Sequence, residues 1–279
     1  MRRMLAAAIF AAAVSPAAAE TQDGERSGWT VSAGYGRVVT SDSGVSGSPS
    51  WSGSIERTLG QGYLGVAGGV SSRTTAFASI PDPVRVDGWS AGVYGGRSFG
   101  PFDGSLSLDY GRESADVVAL VRGRSFNVAA STEFLSAGGG LARSFGGTTR
   151  LTPSGSVYWS RTVSRAEGPA GFASAQSRND GVVGSLGLGL ATDVSSRLTL
   201  SVGAAAVASS NAAAVYRLSG RRSTTAPQTF GSAGADAWGE ISVGAGVALG
   251  AVNLSAGAVA TVGLPEDTIA VSGSASVAF

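Results

Sequence analysis

The chain has 279 residues, 43 of them glycine, and it carries 20 arginines and no lysine against 19 acidic residues. It contains no histidine and no cysteine, which excludes a Ser-His-Asp triad, a thiolate nucleophile, a Cys/His zinc cluster and a disulfide framework. The near-neutral net charge provides no basic field for nucleic acid, so we expect no nucleic-acid partner.

The N-terminus has the three parts of a secretory signal peptide. Arg2 and Arg3 form a basic start, residues 4–14 are apolar, and Ala17 and Ala19 supply the small residues that precede a signal-peptidase cut. A retained anchor is the alternative, but eleven apolar residues at ~1.5 Å each cover only about half of a ~30 Å hydrocarbon core. The predicted organisation is a cleaved signal peptide, a short N-terminal segment and a barrel domain, at 1–19, 20–27 and 28–279.

Beyond the signal peptide, apolar residues recur with a period of two, which is typical of β-strands. Leu186, Leu188 and Leu190 alternate with small residues, and Ile241 and Val243 do the same. A soluble periplasmic β-sandwich also alternates, but its inner face carries large side chains, whereas here the second face is Gly, Ser, Ala and Thr. The pattern favours a membrane barrel with lipid outside and a polar lumen. Twelve segments fit, at 28–39, 50–59, 63–71, 88–98, 103–112, 127–142, 149–161, 182–192, 197–208, 237–249, 252–262 and 268–279.

The connections between these segments alternate between short and long. Five are tight turns of two to four residues, whereas 40–49, 72–87, 113–126, 162–181 and 209–236 are long, and only 263–267 breaks the trend. Bacterial outer-membrane barrels have short periplasmic turns and long external loops. We therefore predict an all-β fold, an antiparallel transmembrane β-barrel of about 12 strands with both termini periplasmic, in the bacterial outer membrane.

Aromatic residues cluster near the predicted strand ends. Rings with one wet and one apolar side suit the headgroup level of a membrane, although β-propensity alone is an alternative explanation. The residues concerned are Trp29, Trp51, Tyr63, Trp89, Phe99, Phe102, Tyr110, Phe145, Tyr158, Trp159 and Trp238.

The last predicted strand ends on an aromatic residue, with Ala275, Val277 and Phe279 on one face. It resembles the closing strand of outer-membrane barrels, in which the terminal Phe and the alternate apolar positions are read by the barrel-assembly machinery. This resemblance implies that Phe279, Val277 and Ala275 form an assembly signal.

Residues 89–95, 106–112 and 151–158 together resemble the β-domain of autotransporters. The resemblance implies a twelve-stranded outer-membrane barrel, with a helix through the lumen and a secreted passenger upstream. Only residues 20–27 precede the first predicted strand, so we expect a barrel of this type without a passenger.

Five charged residues are candidates for the lumen because they share a strand face with serine and glycine or extend it. They are Glu56, Arg73, Asp109, Glu113 and Glu240. A charge in a narrow pore sets ion preference at short range. Alternatively, the acids pair with arginines across the lumen and brace a closed barrel.

The sequence indicates a protein that is not an enzyme. Residues 88–92 fit the G-x-S-x-G pattern, but no histidine base is available, and we expect no cofactor and no metal. The leading hypothesis is a small passive channel or a surface-structural protein; the alternative is a translocator for a separately encoded passenger. Expected partners are outer-membrane lipid and the assembly machinery, with lipopolysaccharide at arginine-containing loops such as 219–223.

Overall fold

The computed structural model describes residues 28–40, 48–75, 84–121, 124–168, 175–210, 237–263 and 268–279. The predicted signal peptide with Ala17 and Ala19, the segment 20–27 and the loop residues 219–223 lie outside the described residues. The described part contains no helix long and apolar enough to cross a membrane.

Thirteen β-strands make up the described chain, and one of them, β7, has only two residues. In chain order they are β1 Trp29–Thr40, β2 Ser48–Leu59, β3 Gly62–Thr75, β4 Val84–Phe99, β5 Phe102–Val121, β6 Arg124–Ala142, β7 Phe145–Gly146, β8 Thr149–Glu167, β9 Ala175–Asp193, β10 Leu198–Ser209, β11 Ala237–Leu249, β12 Val252–Val262 and β13 Thr268–Ala278.

The strands form one closed antiparallel barrel. Each pairs with its neighbour in sequence, β1 pairs with β13, and β6 pairs directly with β8, because β7 only extends the turn between them. The wall therefore has twelve strands, which confirms the predicted fold class. Closure removes the exposed edges that an open sheet would present.

Both ends of the described chain lie at the rim that carries the short turns. The Trp29 amide donates to the Phe279 carbonyl and the Phe279 amide donates to the Trp29 carbonyl, each at 2.9 Å. The turn at Gly100 belongs to the same rim, and its φ of 59° is a conformation that glycine adopts without steric cost. We refer to this rim as the short-turn rim and to the opposite one as the long-loop rim.

The two faces of the wall have opposite polarity. Leu106 and Leu186 on the outer face are 72% and 74% exposed, whereas Asp109 and Ser136 on the inner face are almost completely buried. On the outer face of β4, Trp89 and Phe99 lie ten residues apart. At ~3.3 Å per residue and a strand tilt of ~40°, that separation spans about 25 Å, the height of the apolar band of outer-membrane barrels.

Seven strands, β2 to β6, β8 and β9, are longer than the sequence predicted, mainly at the long-loop rim. The segments 113–126 and 162–181, predicted as loops, form in large part the ends of two hairpins, β5–β6 and β8–β9. These ends have exposed charge pairs across or along the strands, including Arg161–Asp180 at 2.7 Å and Arg165–Glu133 at 3.0 Å. Beyond the lipid neither face needs to be apolar, so the alternation that marks a strand disappears there.

Candidate functional site: the inner face of the barrel

Four acidic side chains predicted for the lumen lie on the inner face. Each shares its face with small polar residues. The adjacent residues in the sequence, such as Ile55 and Leu108, point outward and are exposed. Glu56, Asp109, Glu113 and Glu240 come from β2, β5, β5 and β11, and between 1% and 7% of each residue is exposed.

The residues paired with these carboxylates on the flanking strands are small and neutral. Asp109 is paired with Gly92 on β4 and Ser136 on β6. Glu240 is paired with Ala205 and Thr261. The same holds for the other two: Glu56 is paired with Thr30 and Gly65, and Glu113 with Gly88 and Thr132. In the register of the described strands, no arginine stands directly opposite any of the four.

Neutral donors hold three of the carboxylates in place. The Ser107 hydroxyl donates to Asp109 Oδ2 at 3.1 Å, and Trp238 Nε1 donates to Glu240 Oε1 at 3.0 Å. The Tyr94 side chain forms hydrogen bonds with both Ser54 and Glu56. These bonds orient the acids along the wall.

Arg73, the fifth candidate, occupies a different level. Its backbone belongs to β3 and is paired with Val86 near the long-loop rim, and its side chain lies outside the described residues. Arg150, which the sequence did not single out, lies on the inner face at the short-turn rim and forms a two-point ion pair with Asp193, at 2.6 and 3.0 Å. Between Arg150 at the short-turn rim and the level of Arg73, the charged inner-face residues whose side chains the structure describes are acidic.

The wall opposite β2–β5 carries an apolar cluster that the sequence did not predict. Tyr158, Val183, Val207 and Trp238 on β8–β11 are buried together on the inner face. The prediction that Tyr158 and Trp238 lie at the headgroup level is wrong, and so is that for Tyr63, because all three are buried side chains of the inner face. The sequence did contain a signal for Trp238: it lies two positions before Glu240 on the same strand, and therefore on the same face.

The three residues of the predicted assembly signal lie on the outer face of β13. Val277 is paired with Val31, and Ala275 with Ala33, both on β1. Phe279 follows the strand and its residue is 74% exposed. Its ring therefore packs little within the chain.

The described acidic residues form no cluster of three that could hold a metal ion. Arg150 and Asp193 instead make an ion pair that Thr199 Oγ1 joins by donating to Asp193 Oδ1 at 2.7 Å. The Arg150 hydrogen bonds, and next that of Thr199, hold the pKa of the Asp193 carboxyl below its usual value. Asp193 lies beyond Leu190, the last lipid-facing apolar residue of β9, and so outside the apolar band.

Comparison with known proteins identified one family and several solved structures of similar fold. Residues 17–260 match the family described as autotransporter beta-domain. The translocator domain of autotransporter NalP from Neisseria meningitidis is similar with a TM-score of 0.71 and 14% identity, over 91% of this chain and 89% of that one. The β domain of the Bordetella autotransporter Brka has a TM-score of 0.63 and 17% identity, over 91% and 99%.

A third solved structure, the Pseudomonas putida toluene transporter TodX, has a TM-score of 0.51 and 11% identity, over 91% of this chain and 90% of that one. Comparison with curated protein sequences gave no match. At these identities the three structures share a fold with this chain.

Proposed function

This chain belongs to the autotransporter β-domain family, whose barrels reside in the bacterial outer membrane, and from that premise we propose that it acts as a small, passive, cation-preferring channel. The observation that carries the proposal is the acidic inner face: Glu56, Asp109, Glu113 and Glu240 point inward at several levels between the rims. A carboxylate in a narrow, poorly screened lumen attracts cations and repels anions.

The size of the wall supports a path for ions. Eight strands enclose a space that side chains just fill, whereas twelve enclose a wider one. The four carboxylates lie on both sides of this space, on β2 and β5 and, across the barrel, on β11. Because only 1% to 7% of each of these residues is exposed, other side chains pack closely around the carboxylates, and the proposal requires that water and cations reach them when the channel conducts.

The proposal includes a topology and a route. The short-turn rim, with both ends of the described chain, faces the periplasm, and the long-loop rim faces outward. Residues 1–19 direct export and are removed after Ala19. Outer-membrane lipid and the assembly machinery are the proposed partners, the latter through Phe279 and its strand, with lipopolysaccharide at the long-loop side.

We also propose that the barrel is not an enzyme. Barrels of this family generally lack enzymatic activity, and the absence of histidine and cysteine from the whole sequence removes the commonest general base and the thiol nucleophile. Passive passage needs neither, because it requires only a lumen with suitable charge and width.

A planar bilayer experiment tests the channel. Purified barrel, shown to be folded by a change in gel migration on boiling, is added to a bilayer with a tenfold KCl gradient. The expected result is a small unitary conductance with a reversal potential whose sign shows that K⁺ is more permeant than Cl⁻. A folded barrel that inserts without conductance, or one that prefers Cl⁻, contradicts the proposal.

Family membership favours a second function, translocation of a separately encoded passenger. Co-expression with candidate passengers from neighbouring genes, followed by protease treatment of intact cells, tests it. Passenger exposed at the surface only when the barrel is present would support translocation. Unchanged passenger location without the barrel would remove this alternative and leave the channel.

A further inference from the structure

An arginine at the short-turn rim is held between two aromatic rings. The Arg143 guanidinium carbon lies 4.5 Å from the ring centroid of Phe145 and 5.5 Å from that of Phe102. Both rings are more than two-fifths exposed on the outside of the barrel. The arrangement fixes a planar cation at the outer surface, since rings attract the guanidinium through their faces.

A second outer arginine at this rim is placed in the same way. The Arg57 guanidinium carbon lies 5.5 Å from the Trp29 ring centroid, and Arg97 is a third exposed arginine on the outer face of β4. Arg57 and Arg143 each follow an exposed apolar residue of the outer face by two positions, Ile55 and Leu141 respectively. The period of two therefore places these cations at the border of the lipid band.

The outer arginines of the two rims differ in their partners. Several at the long-loop rim are paired with acids, among them Arg85–Asp87 at 3.0 Å and Arg178–Asp180 at 2.9 Å. Within the described part of the chain, Arg57, Arg97 and Arg143 form no such ion pair. Their charge is therefore available to an external anion at headgroup level.

We propose that the Arg57–Trp29 and Phe102–Arg143–Phe145 clusters bind the phosphate of anionic glycerophospholipids in the leaflet at the short-turn rim. A guanidinium presents two parallel N–H groups to phosphate oxygens, and the rings beside it suit the boundary between headgroups and acyl chains. Charge complementarity selects an anionic headgroup, since a zwitterionic one brings a compensating cation. The inference is independent of whether the lumen conducts.

Fluorescence quenching at the Arg57 cluster tests the proposal. The chain has five tryptophans, and a variant that keeps only Trp29 is reconstituted in phosphatidylcholine vesicles with a minor fraction of brominated phosphatidylglycerol or brominated phosphatidylcholine. We expect the apparent affinity of the lipid site beside Trp29 to be about five-fold higher for phosphatidylglycerol than for phosphatidylcholine. This is the gain that the charge of one arginine near a membrane surface provides. In Arg57→Gln the preference should fall to about one.

Trp159 provides the matched control. The Arg161 guanidinium carbon lies 5.1 Å from the Trp159 ring centroid, but Asp180 pairs with that arginine at 2.7 Å. A variant that keeps only Trp159 should show no phosphatidylglycerol preference, with or without Arg161→Gln. A preference at Trp159 equal to that at Trp29, no preference at Trp29, or a preference at Trp29 that persists in Arg57→Gln overturns the proposal.

The Arg143 cluster is tested on a chain that is otherwise native. This test therefore does not depend on whether the single-tryptophan variants fold. Native mass spectrometry of barrels extracted from mixed vesicles should show about five-fold less retained phosphatidylglycerol in Arg143→Gln, and intermediate retention in Arg143→Lys, which keeps the charge but loses the two-point contact and the stacking on the rings. Gel migration without boiling selects preparations that are folded. Equal phospholipid retention by native chain and Arg143→Gln overturns the assignment of this cluster.

Discussion

The ring of Tyr94 on β4 occupies the space that a side chain at Gly65, its paired residue on β3, would fill. The same relationship recurs on the following strands. Asp109 on β5 covers Gly92 on β4, and Phe134 on β6 covers Gly111 on β5. In each case a large inner side chain leans onto the glycine of the preceding strand, so the glycine content of this part of the wall has a packing reason.

The first prediction concerns Gly65. Gly65→Ala would force a methyl group into the Tyr94 ring, and such overpacking typically costs about 1–3 kcal/mol. We expect the free energy of unfolding in detergent micelles, measured by urea titration, to fall by that amount. Gly184→Ala is the control, since a Cβ there meets only the Ser156 carbonyl oxygen at 3.9 Å. Equal stability of the two variants would rule out the packing role of Gly65.

The twelve strands and the two faces of the wall could be predicted from the sequence because lipid imposes a strict rule. Every strand that crosses the apolar band must place apolar residues outward, as Leu186 and Ile241 do, so strand number and parity leave a strong pattern. The rule ends at the headgroups. The charged hairpin end around Arg165 and Asp180 was therefore predicted as a loop.

The inner face was less predictable because small residues and aromatic residues both occur there. Trp238 near a strand end fits the headgroup level as well as the lumen, and only its parity with Glu240 distinguishes the two. Pairing of a large side chain with a glycine, as for Tyr94 and Gly65, depends on register between strands. Register is set by the turns and by the packing of all twelve strands together.

The second prediction is a pH dependence from Asp193. Its pKa is lower in the folded barrel because of Arg150, so its contribution is present above the ordinary carboxyl pKa of about 3.9 and is lost as pH falls through the lower folded value. Asp193→Asn should reduce the free energy of unfolding at pH 7 by about 1 kcal/mol. The difference between native chain and variant should shrink when urea titrations are repeated below pH ~3.

The pair at the opposite rim serves as a comparison for Asp193. Arg161 and Asp180 are each 39% exposed at the side chain, against 20% and 28% for Arg150 and Asp193. Solvent screening is stronger at the more exposed pair, so Asp180→Asn should change stability little at either pH. A stability loss for Asp193→Asn that stays constant from neutral to acid pH would contradict the assigned ionisation.

The third prediction separates folding from assembly at Phe279. Because the residue is 74% exposed, Phe279→Ala should change stability in micelles by less than about 0.5 kcal/mol. If the ring is an assembly signal, the amount of barrel in the outer membrane should nevertheless fall several-fold. Both quantities are measurable, by urea titration and by quantitative immunoblots of outer-membrane fractions.

Leu249→Ala is the control for Phe279, since Leu249 is also an exposed apolar residue at the short-turn rim. We expect it to leave both stability and membrane level near those of the native chain. Normal membrane levels of Phe279→Ala would remove the signal role. A matching loss of stability would reassign the residue to packing.

The ion preference of charge variants tests the central claim most directly. The variant that combines Glu56→Gln, Asp109→Asn, Glu113→Gln and Glu240→Gln removes the inner-face acids between the rims, and Asp180→Asn removes an acid of the outer face as a control. The measurement is the reversal potential in planar bilayers under a tenfold KCl gradient. The account predicts cation preference in the native chain and Asp180→Asn, and its loss in the fourfold variant if that variant folds, with partial loss in Asp109→Asn or Glu240→Gln alone. An unchanged cation preference in the folded fourfold variant would contradict the account.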